Sequence, residues 1–435
     1  MPSGYPWLHN AQVPLALLEE PFPRAANAEG LVRVDLALEQ GVIRQVRPAA
    51  DQPPVGALDV RRGLVLPCFV DIHTHLDKGQ VWGRAPNPDG TFDKAVATIR
   101  RDAQQHWQAE DLYRRMSFGL RCSYAHGTQA LRTHLDCGPD QAALSLSVFA
   151  RLQAEWRDRL TLQAVAMAPL AEYSTPAGVA LADTIAATGQ ILGGVAYAGP
   201  DLDTHLDALF ALAQERQLDL DLHADETGDP NSHSLRAIAR AARRHNFQGQ
   251  ILGGHGCSLA VQAPEELDQT LTWMRQAGIS LVSLPTCNLY LQDRQAGRTP
   301  RWRGVAPVQE LHQAGIPVLF ASDNCRDPFF SFGDHDLLEV FGQAVRIAHL
   351  DQPYGDWIRA VTQRPAAWLG LPGGGRLVAG APADLIVFRG RSFSELLARP
   401  QGDRLVLRRG CPIDTTLPDY AELDDLMGPA SNLKI

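Results

Sequence analysis

The chain is predicted to be an α/β protein: a (β/α)8 TIM barrel, with allowance for distortion, carrying a small β-sandwich domain formed from both termini. Three observations predict it. Between Leu64 and Leu350 apolar runs of strand length alternate with amphipathic helical stretches, the pattern of βα units repeated around a parallel sheet. Strand and turn chemistry stands at both ends of the chain. Histidines and acids close several of the apolar runs, at the level where barrel strands converge on one mouth. With 435 residues there is enough chain for a barrel of about 250 residues and a smaller unit besides.

In chain order, short strands are expected at Val32 to Leu38 and Val42 to Val46, around the turn Glu39-Gln40-Gly41. The barrel strands are expected at Leu64 to Asp71, Thr128 to Thr133, Thr161 to Met167, Gly193 to Ala198, Leu218 to Leu222, Gln250 to Gly253, Ile279 to Leu284 and Pro317 to Ala321. Between them, Asp207 to Glu215 and Ser234 to Arg243 each carry one apolar face of helical period. The segments Gly373 to Phe388 and Arg404 to Arg408 return to strands and turns. The economical division is therefore 1–65 and 366–435 for the β domain, with the barrel at 66–365 inserted.

Composition narrows the function classes. Hydrophobic residues are 45% and charged residues 20%, ordinary for a globular protein. A net charge of −9 gives no basic footprint for nucleic acid or an anionic membrane surface. The first residues lack a basic and then apolar leader, and no run reaches the ~20 apolar residues of a membrane span; a cytoplasmic location is expected. Seven scattered cysteines without C-x-x-C spacing suggest buried free thiols.

The most informative stretch is Leu66-Pro67-Cys68-Phe69-Val70-Asp71-Ile72-His73-Thr74-His75. Side chains at i and i+2 share a strand face, so His73 and His75 can grip one divalent metal together. Alone, a His-x-His is more often decoration than a ligand pair. The odds reverse with Arg132-Thr133-His134, His223-Ala224-Asp225-Glu226, Gly253-Gly254-His255 and Ala321-Ser322-Asp323, because acids and histidines are rarely placed in apolar interiors without cause. Asp77 and Lys78 read as a local ion pair at the mouth, or as substrate contacts. Asp71 reads as structural. His126, His205, His245, His312 and His349 read as solvated, and His233 and His335 as minor candidates for substrate contact.

On these residues the chain resembles the amidohydrolase superfamily and, within it, the cytosine deaminase-like group. The segment Asn288 to Arg294, the pair Asp327-Pro328 and the closing Gly380-Ala381-Pro382-Ala383-Asp384-Leu385 extend the resemblance over nearly the whole chain. It implies one divalent metal ion per chain, Zn2+ or Fe2+, held by His73, His75, His223 and Asp323. It also implies that His255 and Asp323 take a proton from an activated water while Glu226 protonates the ring nitrogen beside the attacked carbon, and ammonia leaves. His134 would orient ligands from behind. Two-metal relatives with a similar fold use a carboxylated lysine at strand 4. The stretch Gly193 to Pro200 has none, and the chain holds only Lys78, Lys94 and Lys434 against 37 arginines, which favours a single-metal site.

Cytosine deaminases place a glutamine after strand 3, where Pro169 stands here, and a second aspartate after the metal aspartate, where Asn324 stands. A ring other than cytosine is implied: a substituted pyrimidine, pterin-like ring, aminotriazine or creatinine. Phe329 could stack on such a ring, and His134 and Gln292 complete the expected substrate contacts. The loops Gly79 to Thr91 and Asn288 to Arg303 are of functional length, the second rich in arginine and suggestive of a lid. Alternatives are hydrolysis of an N-alkylamino triazine or cyclic amide at the same site, and a non-catalytic assembly protein of this fold. The expected partner is a small heterocycle, with a homo-oligomer and neither nucleic acid nor membrane.

Overall fold

The computed structural model describes residues 4–428, so Lys434 and the outermost ends of the expected β domain lie outside it. Contacts group the chain into two units. One comprises the segment up to Ile72 with Arg121–Leu131 and Asp336–Leu417; the other comprises His73–Leu120, Arg132–His335 and the segment from Pro418.

The first unit holds two four-stranded sheets. In one the order is Val42–Pro48, Leu31–Glu39, Trp7–Pro14 and Leu58–Asp59; in the other it is Cys411–Pro412, Leu405–Arg408, Leu385–Val387 and Val65–Pro67. Both termini contribute, as expected. Trp7–Pro14 was not foreseen, because His9 and Asn10 break its alternation. Asn10 takes φ 59° and the pairing register shifts between Leu8 and Ala11, while buried Asp35 accepts from the Asn10 N–H at 3.0 Å.

The eight barrel strands are Phe69–Thr74, Thr128–Asp136, Thr161–Pro169, Ile191–Ala196, Leu220–Ala224, Ile251–His255, Ser280–Ser283 and Val318–Phe320, hydrogen-bonded in that order. They are called barrel strands 1 to 8. A parallel bridge between Thr74 and Asp323 joins strand 1 to the end of strand 8, with the Asp323 N–H donating to the His73 carbonyl at 2.9 Å. The expected run Leu64 to Asp71 proves to be two strands. Val65–Pro67 pairs with Leu385–Val387, and the chain turns at Cys68, whose N–H donates to Asp384 at 2.8 Å. Both pieces are wholly buried, so hydrophobicity carries no mark of the change. Strands 5 and 6 run two residues further than expected, which puts His223 and His255 inside them.

Strand 4 needs its glycines. A Cβ on Gly193 would lie 2.3 Å from Val165 Cγ1 and 2.4 Å from the Asp221 carbonyl, so strands 3, 4 and 5 can approach only where that side chain is missing. After strand 1, the loop Gly79 to Thr91 leads into helices Phe92–His106 and Ala109–Ala125. Arg84 in that loop donates to Asp102 at 2.8 Å and pairs with Asp111, one acid from each helix. The helices expected at 207–215 and 234–243 are found as Leu202–Glu215 and Ser234–Arg244.

Candidate active site

Strands 1, 5, 6 and 8 bring His73, His75, His223, His255 and Asp323 to one buried place, each 5% exposed or less. His75 Nε2 lies 3.2 Å from His223 Nε2 and 3.3 Å from Asp323 Oδ1, and His73 Nε2 lies 3.5 Å from the same oxygen. Ligand atoms of His73, His75 and His223, and again of His73, His255 and Asp323, fall within 4.8 Å of one another. Burial first, and then neighbouring positive groups, hold His73, His75 and His223 well below the ordinary imidazole range, so they present neutral ring nitrogens. Both nitrogens of His73, and Nδ1 of His75 and of His223, have no hydrogen-bond partner among the described residues. Buried polar atoms left in this state are costly. A divalent cation bound by imidazole and carboxylate fits them. Gly254 leaves the room: a Cβ there would stand 3.2 Å from His73 Cε1.

Glu226 follows strand 5. It is turned into the site by Asp225, whose buried carboxylate accepts from Ser232 Oγ at 2.7 Å and from the Ser234 and Leu235 N–H groups at 2.9 Å. Asp225, His255 and Asp323 take φ of 56°, 71° and 63°, a region few residues other than glycine enter. Three such residues, at the ends of strands 5, 6 and 8, mark backbone strain held at the site. Burial, and then the negative charge of Asp323, push the Glu226 carboxyl well above its usual range, with Lys78 opposing. Burial drives His255 down to about 3. Asn288 Nδ2 lies 3.0 Å from His255 Nδ1 and 3.4 Å from Glu226 Oε1, bridging the two. Glu226 is thus disposed to hold a proton, while His255 stays neutral.

Behind the histidines, the His134 ring lies over that of His73, centroids 3.8 Å apart and planes inclined at 31°. Its Nε2 is 3.1 Å from Asp221 Oδ1, and Asp221 accepts from Arg132 Nη1 at 2.8 Å. Asp221, two residues before His223 and so on the same strand face, was missed by sequence reasoning. The spacing held the signal.

A cavity of about 630 Å³ opens over this cluster. Pro169, Asn324 and Phe329 line it, as do His75, His223, His255 and Glu226. His134 and Gln292 do not. His134 is sealed beneath His73, and the Gln292 amide donates to the Glu226 carbonyl at 3.3 Å, which makes it a support for Glu226. The outer wall is helix Phe92–His106, through Phe92, Val96, Ile99, Arg100 and Ala103, followed by Trp107. The arginine-rich loop stays outside the lining: Arg298 pairs with Asp293, and Arg294 covers the Tyr290 ring at 4.2 Å. His335 is buried against Thr74 Oγ1 at 3.3 Å, and His233 stands 3.9 Å from Glu266. Neither reaches the cavity.

The amidohydrolase family model matches residues 117–411. The chain belongs to the amidohydrolase family. Among curated amidohydrolases it is 48% identical to a pterin deaminase of Rhizobium rhizogenes, over 92% of each chain. It is 27% identical to the N-isopropylammelide isopropyl amidohydrolase of a Pseudomonas species, over 77% of this chain and 82% of the other. Among solved structures, the 5-methylcytosine deaminase of Klebsiella pneumoniae liganded with 5-fluorocytosine superposes with a TM-score of 0.80, at 26% identity over 95% of this chain and 98% of that one. As an amidohydrolase it depends on a metal, and the buried His and Asp groups are able to hold one. No helix among the described residues is long and apolar enough to cross a membrane.

Proposed function

We propose that the ring on which this hydrolytic deaminase acts is a pterin, a flat bicyclic 2-amino-4-oxo heterocycle. The enzyme is a hydrolase of carbon–nitrogen bonds other than peptide bonds. The observation that carries the reading is the 48% identity to a pterin deaminase over 92% of both chains. The cavity supports it: its strand 3 wall is Met167, Ala168 and Pro169, an apolar ledge for a ring face, and Phe329 stands ready to stack.

His73, His75, His223 and Asp323 would hold one divalent cation, zinc or iron. When bound, the cation supplies Lewis acidity and a water activated near neutral pH. The chain's own residues do the rest. Asp323 accepts the water's proton as its oxygen bonds to the amine-bearing ring carbon, with the neutral His255 ring beside it. Glu226, kept protonated by burial, gives its proton to the adjacent ring nitrogen. The carbon–amine bond then breaks, the amine leaves as ammonia with the first proton taken from the water, and the remaining hydroxyl proton passes to Glu226, which restores the acid and leaves an oxo group on the carbon.

Ammonia release from pterin, isocytosine, cytosine, creatinine and an N-alkylamino triazine, by protein of known metal content, tests this. Turnover of pterin well above the others is expected. Release of an alkylamine from the triazine, with pterin untouched, would overturn the substrate in favour of the chemistry named for the Pseudomonas relative.

A further inference from the structure

Lys78 is one of three lysines in a chain that otherwise uses arginine, and it is 5% exposed in the wall of the cavity. Its Nζ lies 3.0 Å from Asp136 Oδ1 and 5.5 Å above the Phe329 ring centre. Asp136 lines the same cavity. An ammonium has three N–H donors; among the described residues Asp136 is the ion-pair partner of this one. The backbone beneath the pair is fixed, since the Asp77 carboxylate accepts the N–H of Lys78 at 2.9 Å and of Asp136 at 2.7 Å. Buried Arg115 clamps the turn by donating to the carbonyls of Asp77 and Gly79 at 2.5 and 2.8 Å. On the neighbouring strand 3, whose Met167 carbonyl accepts the Cys137 N–H at 2.9 Å, Met167, Ala168 and Pro169 offer no side-chain hydrogen-bond donor.

We infer that Lys78 and Asp136 read the lactam edge of the ring: the Lys78 ammonium donates to the ring oxo oxygen, and the Asp136 carboxylate accepts from the neighbouring ring N–H. This rests on the deaminase reading and names the feature of the substrate that the site selects. A buried Lys78 donor and a partly exposed Asp136 acceptor, set side by side, match an –NH–C(=O)– edge and penalise a ring without it, which would leave the buried Lys78 charge short of a partner. A lysine suits the task better than an arginine. Its charge is compact and donates to a single oxygen, whereas a planar fork favours carboxylate or phosphate.

The test pairs pterin with 2-aminopteridine, which lacks the oxo group, in the metal-loaded wild type and in the variants Lys78→Met and Asp136→Asn, each checked for metal content and circular dichroism. The expected wild type prefers pterin in kcat/KM, and in both variants the ratio between the two rings collapses by about 10–100-fold. A ratio that stays within about threefold of wild type in both variants overturns the inference, even if both rates fall, because lost packing weakens both rings alike. Fluorescence titration with lumazine, the dioxo product, separates this from failure of the deaminase reading. Wild-type protein that releases no ammonia, yet binds lumazine at least tenfold tighter than Lys78→Met does, would sink the deaminase and uphold the pair. Equal lumazine binding by both would overturn the pair.

Discussion

At the scale of single residues, the proposed role of Glu226 as the proton donor is the first to test. Glu226→Gln keeps the shape and removes the exchangeable acid, so kcat is expected to fall by about 10²–10⁴ while metal content, measured by elemental analysis, stays at the wild-type level. The sign of the pH dependence follows from the raised carboxyl. The acid form persists to higher pH than in an ordinary carboxyl, and the rate declines as pH rises through the raised value; a kcat–pH profile that instead climbs there would contradict the assignment. Asp221 tests the layer beneath. Asp221→Asn leaves the buried Arg132 guanidinium short of its countercharge, at an expected cost of about 3–5 kcal/mol in denaturant unfolding. The clustering of His73, His75, His223 and Asp323 was legible because strand period and strand ends place them. Lys78 with Asp136, and the burial of His134, were not, because they depend on which strand lies beside which.

Helix Phe92–His106 sets what the site can admit, and it was the element least visible in the sequence. Its polar face, with Asp93, Lys94, Arg101 and Gln105, masks an inner face that lines a cavity and not a core. Arg84 joins this helix to its successor through Asp102 and Asp111, and Trp107 Nε1 donates to Asp102 Oδ2 at 3.0 Å. Arg84→Met would remove the link between the two helices, leaving Asp102 to Trp107 and Asp111 to Arg115, and loosen the wall, so KM is expected to rise several-fold with a smaller change in kcat; steady-state kinetics decide it, and an unchanged KM would detach the helix from binding. Strands 2 and 3 were found with their true starts at Thr128 and Thr161, their ends three and two residues beyond those expected. The run from Leu64 was read as one strand because continuous burial hides the turn at Cys68.

For the molecule as a whole, the ligand cluster couples metal binding to stability. A cation that binds only the folded chain stabilises it by RT ln(1 + [L]/Kd), about 4 kcal/mol at a thousandfold excess over Kd. Chelated protein should therefore melt several degrees lower than the reloaded form by calorimetry, and identical melting curves would show that the cluster holds no ion. The general architecture could be read from the alternation of strands and helices. The way contacts apportion 121–131 and 336–417 could not, since those segments look like barrel chain and find their company through long-range packing.

The bridge from Thr74 to Asp323 gives this fold a property apart from catalysis. The hydrogen bond that zips the first strand to the last lies on the aspartate that would complete the ion's cage. A chain with seven strands assembled and the seam still open owns three of the ligands and no reactive centre. Regained activity in refolding is then a clock for the final stitch, and a partly built molecule stays chemically mute.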